Sequence, residues 1–409
     1  MTSPHDGANG SRPADRGAPA PHVPRRDDET PCDPPETTSR AGLLDREIGV
    51  LGTRLTPAAL ALTLGAGISG ALAANALGTP LPWMFGSLVA VAGVALGGVT
   101  AFGRPPAFPV ALRFAFVPLI GVAIGGQFTT ELLSEASGWW LTLAALALYL
   151  PLAHAAGFLV YRRLAGYDRA TAFFASMPGG LVEAVAMGER SGGDPAMLTL
   201  LQFSRLVLCI VTVPLAVTLY EGTAVGSAAG IALGEGASAP GGLADWALLL
   251  AAAVLGATGG RRLGLPAAII TGPILLSGAI HVAGLTEADP PGGVIALTQL
   301  VVGMALGVRF AGMERRTALT ALGWASLALA AALSLALAAS LALAAFAGAD
   351  AEAVLIAYAP GGVSEMSLVA LSLDISVVFV TAHHVARLLL IVTVAGWVHG
   401  WLKRYRGWG

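Results

Sequence analysis

Two short passages of the sequence combine backbone breaks with ionisable side chains. Met177-Pro178-Gly179-Gly180-Leu181-Val182-Glu183 and Ala359-Pro360-Gly361-Gly362-Val363-Ser364-Glu365 both place Glu shortly after Pro-Gly-Gly. Proline withholds a backbone donor and glycine tolerates φ > 0, so a helix should break at each. The helix restarting at Leu181 or Val363 would aim free N–H groups and a positive dipole end into the gap, a setting for an anionic or polar solute. Such a turn can also be no more than a packed kink. Glu183 and Glu365 fall in the first turn of the restarted helix. A carboxylate there can load and release a proton in a low dielectric, or it can cap its own helix.

Farther along each apolar run stands one arginine, Arg205 and Arg387. A charge in the middle of a membrane helix is costly and needs a partner. The candidates are Glu183 and Glu365, in a structural ion pair, or the carboxylate of a solute. Gln202 and His384 lie one helical turn before these arginines, on the same face. They can hydrogen-bond a solute or support the arginine. The candidate binding set is therefore Pro178, Gly179, Gly180, Glu183, Gln202, Arg205, Pro360, Gly361, Gly362, Glu365, His384 and Arg387.

These residues sit in a chain that is 55% hydrophobic and 12% charged, with a mean hydropathy of +0.73. A soluble domain carries about 25% charge, so the solvent expected here is lipid. Residues 1–45, rich in Pro, Arg, Asp and Thr, read as a disordered cytoplasmic tail without the apolar segment of a signal peptide. Apolar runs long enough for helical spans lie near 57–77, 82–101, 108–128, 138–161 and 195–219, then 244–260, 265–283, 292–310, 318–347 and 375–402. Segments 170–188 and 352–373 are the two interrupted by Pro-Gly-Gly. If these dip in and return, Arg104, Arg162, Arg163, Arg261, Arg262, Arg315, Arg316, Lys403 and Arg404 share one side. Glu131, Glu135, Glu221, Glu287 and Asp350 then share the other. That separation matches the accumulation of basic residues in the cytoplasm. Only Arg190 departs from it.

The chain also matches itself at one fixed offset, the shift that carries Pro178 onto Pro360. At that shift Gly121 to Phe128 aligns with Gly303 to Phe310, Asp168 with Asp350, Pro178-Gly179-Gly180 with Pro360-Gly361-Gly362, and Arg205 with Arg387. Gly86 corresponds to Gly272-Pro273 after a small length change. Five spans per half is an odd number, so the second half enters from the opposite face, the inverted repeat common in secondary transporters. The expected fold is all-α and polytopic: about ten transmembrane helices as two inverted five-helix repeats, each with a re-entrant segment. The first repeat covers 55–220, a connecting loop 221–243 and the second repeat 244–405. Both termini are expected in the cytoplasm and the protein in the inner membrane.

Several chemistries are excluded at this level. Net charge is −2 and no basic face is concentrated enough for nucleic acid. His383-His384 cannot chelate a metal jointly, because adjacent helical residues point about 100° apart. Cys32 and Cys209 form no disulfide framework and are expected to be idle. No GxxxxGK[ST] loop occurs, so ATP does not drive this chain alone. No cofactor, metal or enzymatic activity is expected.

At its Pro-Gly-Gly-x-x-Glu repeats the chain resembles the membrane AbrB family, whose members carry this hydrophobic domain in duplicate. The resemblance spans 55–405, with Gly272-Pro273 adding to it; the first half has Gly86-Ser87 where the family shows Gly-Pro. Labels used for that family imply regulation of gene expression or an ammonia monooxygenase. The residues themselves favour a secondary transporter of a small polar or anionic solute, coupled to protons, in the lipid bilayer, with a homo-oligomer compatible. The alternatives are a membrane sensor that affects gene expression and, third, a metal-dependent membrane oxidase.

Overall fold

In the computed structural model, the described residues are 47–50, 52–130, 136–179, 181–221, 241–373 and 375–404. The expected tail 1–45 and most of the expected loop 221–243 lie outside them. A two-stranded antiparallel hairpin, β1 (Ile48–Val50) with β2 (Thr53–Leu55), precedes the helices. The first seven are α1 (Pro57–Ala76), α2 (Pro82–Leu96), α3 (Arg113–Gly126), α4 (Trp140–Leu159), α5 (Arg169–Ala175), α6 (Leu181–Arg190) and α7 (Pro195–Glu221). The next seven are α8 (Leu243–Arg262), α9 (Ala268–Val282), α10 (Gly292–Gly307), α11 (Arg315–Ala347), α12 (Ala351–Tyr358), α13 (Val363–Ser372) and α14 (Val377–Arg404).

Local chemistry sets the ends of these helices. Thr56 accepts the Ala59 N–H ahead of α1, where Pro57 occupies the first helical position. Asp168 accepts the Thr171 N–H at 2.8 Å to start α5, and Asp350 accepts the Glu352 N–H at 2.9 Å to start α12. These two caps are the aligned Asp pair. The breaks fall where proline and glycine forbid continuation. Helix α5 stops at Ala175 and α6 restarts at Leu181, while α12 stops at Tyr358 and α13 restarts at Val363. The repeat shift carries the first residue of α6 onto that of α13, and the first residue of α7 onto that of α14. Leu81 before α2 and Ala267 before α9 are both left-handed, each at φ 49°. That conformation is rare for residues with a side chain.

Among the described residues six helical stretches are long and apolar enough to cross a membrane: Pro57–Ala76, Ala136–Leu164, Pro195–Leu219, Leu243–Arg262, Gly292–Phe310 and Arg315–Ala347. Ten spans were expected. Helices α2 and α9 have 15 residues each and α3 has 14, about 22 Å against a hydrocarbon core of about 30 Å. The run expected over 82–101 ends early because Gly97-Gly98 terminate α2, with Gly98 at φ 68°.

The halves interlock. Helix α2 packs on α1 and on α10, while α9 packs on α8 and on α3. Glycines set the approach. A Cβ on Gly86 would meet the Gly70 carbonyl, and one on Gly272 would meet the Gly256 carbonyl. On Gly303 it would stand 2.5 Å from the Met84 oxygen, and on Gly125 2.8 Å from the Gly278 nitrogen. Helices α1–α3 and α8–α10 thus form one group. Helices α4–α7 and α11–α14 form a second, joined to the first chiefly through α3 against α13 and α14.

Close glycine contact is the van der Waals packing on which membrane helices rely. Gly303→Val should therefore cost about 1–3 kcal/mol by overpacking. Gly65→Ala, on an exposed face with nothing within 4 Å, should be neutral or raise stability slightly. Thermal unfolding in detergent checks both.

Candidate functional site

The carbonyl ends of the two broken helices are where buried donors collect. A helix that stops inside a protein leaves its last carbonyls without intrahelical partners, and no water reaches a packed interior to replace them. The long helix following each break supplies the donors. From α7, Gln202 Nε2 donates to the Phe174 carbonyl at 2.7 Å and to the Met177 carbonyl at 3.2 Å. Arg205 Nη1 donates to the same Met177 oxygen at 2.5 Å. From α14, His384 Nε2 donates to the Ile356 carbonyl at 3.1 Å, and Arg387 Nη1 to the Ala359 carbonyl at 2.6 Å. Phe174 and Ile356 are repeat counterparts, and so are Met177 and Ala359. Two of the bonds recur at equivalent positions, Gln202 to Phe174 with His384 to Ile356 and Arg205 to Met177 with Arg387 to Ala359.

The two arginines are among the most enclosed charges in the molecule, Arg387 at 1% and Arg205 at 7% exposure. Of their expected carboxylate partners, Glu183 has its side chain outside the described residues. Among the described residues both guanidinium groups bond to backbone carbonyls, and Glu365 pairs elsewhere. A guanidinium at a helix carbonyl end faces the negative end of the helix dipole, which removes the need for a carboxylate in the same place. The Gln202 and His384 side chains, expected to serve a solute or an arginine, donate to the turns.

Glu365 is buried at 5% exposure and its carboxylate folds back over the start of α13. Ser364 Oγ donates to its Oε2 at 2.8 Å, and a Cβ on Gly362 would collide with that same oxygen. Only glycine leaves room for the carboxylate at this point. Its other oxygen lies 3.9 Å from Arg113 Nη2 on α3, so the ion pair spans the junction between the two helix groups. Arg113 was missed in the sequence, where it is one of many arginines beside an apolar run. Gly361 is needed too, since a Cβ there would stand 2.5 Å from Met366 Cγ. Gly180 and the side chain of Glu183 lie outside the described residues.

The two turns share a space. A cavity of about 20 Å³ is lined by Pro178 and Pro360 together with Tyr161, Ser176 and Arg205, and it holds roughly one water. Ser176 Oγ donates to the Phe173 carbonyl at 2.8 Å and lies 3.2 Å from His154 Nδ1. Arg387 Nε is 3.9 Å from where a Gly179 Cβ would stand, so the second-half arginine lies against the first-half turn. Its Nη2 also donates to the Gly361 carbonyl at 2.5 Å. His383 points the other way from His384, to Thr142 Oγ1 at 2.8 Å. Cys209 is buried, with its Sγ 3.9 Å from Met366 Sδ.

Because Arg387 holds two carbonyls of one turn, Arg387→Met should cost about 1–3 kcal/mol for each carbonyl left bare. Arg387→Lys should recover only part, since one ammonium cannot reproduce the planar fork. Unfolding of the purified variants in detergent measures the difference.

The chain is similar to the "Uncharacterized protein YhjN" of Bacillus subtilis (strain 168), at 26% identity over 296 residues, 68% of this chain and 74% of that one. The family model described as "Transition state regulatory protein AbrB" matches residues 100–403. That match takes in both broken helices, both arginines and well over half of the sequence, and the chain belongs to the AbrB family.

Proposed function

We propose that this protein is a secondary transporter of a small polar or anionic solute, bound between the two broken-helix turns and coupled to protons. The observation that carries it is the meeting of Pro178 and Pro360 at one cavity, with two buried arginines behind them and no carboxylate among their described partners. Interrupted backbone at membrane depth is tolerated only inside protein or beside a water-filled space. In transporters such paired interruptions mark the solute site.

In this reading the two halves are inverted repeats, ten helices cross the inner membrane, and both termini face the cytoplasm. The short helices α2, α3 and α9 cross within the bundle, and the broken pairs α5–α6 and α12–α13 enter and return. The cavity takes about one water and lies wholly among helices of the second group, so a solute enters only when those helices shift. Glu365 and Arg113 tie that group to the first across the junction. Their attraction crosses the junction at 3.9 Å, and Glu365→Gln would remove it.

A second reading has one specific support, the regulatory protein named in the family description. A sensor of that kind would bind a solute without moving it and would act through a partner.

Uptake of a panel of radiolabelled organic acids and amino acids into proteoliposomes under a proton gradient separates the two. Transport predicts accumulation of at least one solute, reduced at least about tenfold in Glu365→Gln protein that folds normally, the size expected from losing a proton-transfer group. Saturable binding with no flux of any solute would favour the sensor. Topology is tested with single cysteines replacing Leu164 and Ala196 in a Cys32→Ser background. Labelling of both from one side fits a broken segment that returns, and labelling from opposite sides would show that it crosses.

A further inference from the structure

We propose that the space beside the first turn, once its walls give way beyond the single water it now admits, is a subsite for the carboxylate of a short aliphatic monoanion, held by Arg205 and Tyr161. This rests on reading the paired turns as a solute site, but not on the solute being moved.

Three observations converge on it. The first is unspent donor capacity. The Tyr161 hydroxyl and Arg205 Nε are both buried, both belong to residues lining the cavity, and neither has a hydrogen-bond partner among the described residues. Tyr161 is 1% exposed. Buried donors without partners are rare, and each calls for a ligand or water. Ser176 adds no donor, because its hydroxyl hydrogen already goes to Phe173. Two unspent donors on residues that line one cavity, one of them cationic, match in number the two oxygens of a carboxylate. A phosphate dianion would bring more acceptors and more charge than they satisfy.

The second observation is the wall. Apart from the prolines, the cavity is faced by Ala153, Ala175, Ala328 and Ala332, whose methyl groups suit a short hydrocarbon tail and offer a polar one nothing.

The third is asymmetry between the halves. Tyr161 lies in a π-helical turn, Val160–Leu164, at the end of α4, and such turns recur at functional sites. Its repeat counterpart is Leu343, within the uninterrupted α11, and the counterpart of Ser176 is Tyr358. Among the described residues Arg387 donates to two carbonyls of its turn, whereas Arg205 donates to one. Nε is without a partner in both arginines, and of the two only Arg205 lines the cavity.

The test uses the full-length protein in detergent micelles, with sodium propionate, its neutral isostere propionamide and inorganic phosphate at matched ionic strength. Propionate should raise the unfolding temperature saturably, while propionamide and phosphate should not. Tyr161→Phe should weaken propionate binding about tenfold, the effect of one hydrogen bond to a charged group. Its unfolding temperature without ligand should hold or rise, since an unpartnered hydroxyl is removed. Equal stabilisation by propionamide, preference for phosphate, unchanged propionate affinity in Tyr161→Phe, or a fall in that variant's ligand-free stability would each overturn the subsite. Binding needs no flux here. Retained propionate binding with no uptake would remove the transport reading alone, and uptake indifferent to propionate and to Tyr161→Phe would remove the subsite alone.

Discussion

A helix interrupted inside an apolar interior cannot leave its last carbonyls bare, and this requirement organises the second helix group. Each break at Pro-Gly-Gly exposes carbonyl oxygens at the end of α5 or α12. Each following long helix returns past them carrying an amide or imidazole and then a guanidinium one turn later. The arrangement resolves two liabilities together. Buried carbonyls gain donors, and buried cations gain the negative end of a helix in place of a counter-ion. Either group alone in that interior would be strongly unfavourable.

Around this wiring the two helix groups differ in how they are held. Helices α1–α3 and α8–α10 approach through glycine contacts that leave little freedom, with backbone against backbone at Gly70 and Gly86 and again at Gly256 and Gly272. The group with the broken helices touches the first mainly at α3. A narrow junction between two separately consolidated bodies is the arrangement in which one can rock against the other. The Glu365–Arg113 pair lies on it.

Much of this was legible in the chain. The broken helices follow from proline and glycine chemistry, and the residues of the wiring follow from their spacing: Gln202, Arg205, His384 and Arg387 all take part. Their partners were not legible. An arginine deep in an apolar run suggests a carboxylate, and the sequence has Glu183 and Glu365 at hand, but no pattern of side chains reports an unpaired backbone carbonyl. Arg113 and Tyr161 were invisible for a related reason. Each gains its meaning from a helix distant in sequence, Arg113 from α13 and Tyr161 from α7. Helix lengths were misjudged where apolar residues run past a terminating glycine pair, as at Gly97-Gly98.

The interlocking of the halves bears on how the protein is made. Helices α2 and α3 are synthesised early, yet Met84, Ser87 and Val91 of α2 await Gly303 and Gly307 of α10, and the glycine face of α3 awaits α9. From the end of α3 at Gly126 to the end of α10 at Gly307, a ribosome working at about 5–20 residues per second needs roughly 10 to 40 s. Throughout that interval the nascent first half carries unsealed helix faces in the bilayer. Their close-packed mates arrive only when the second half is well under way, so assembly of this group waits on the later portion of the chain.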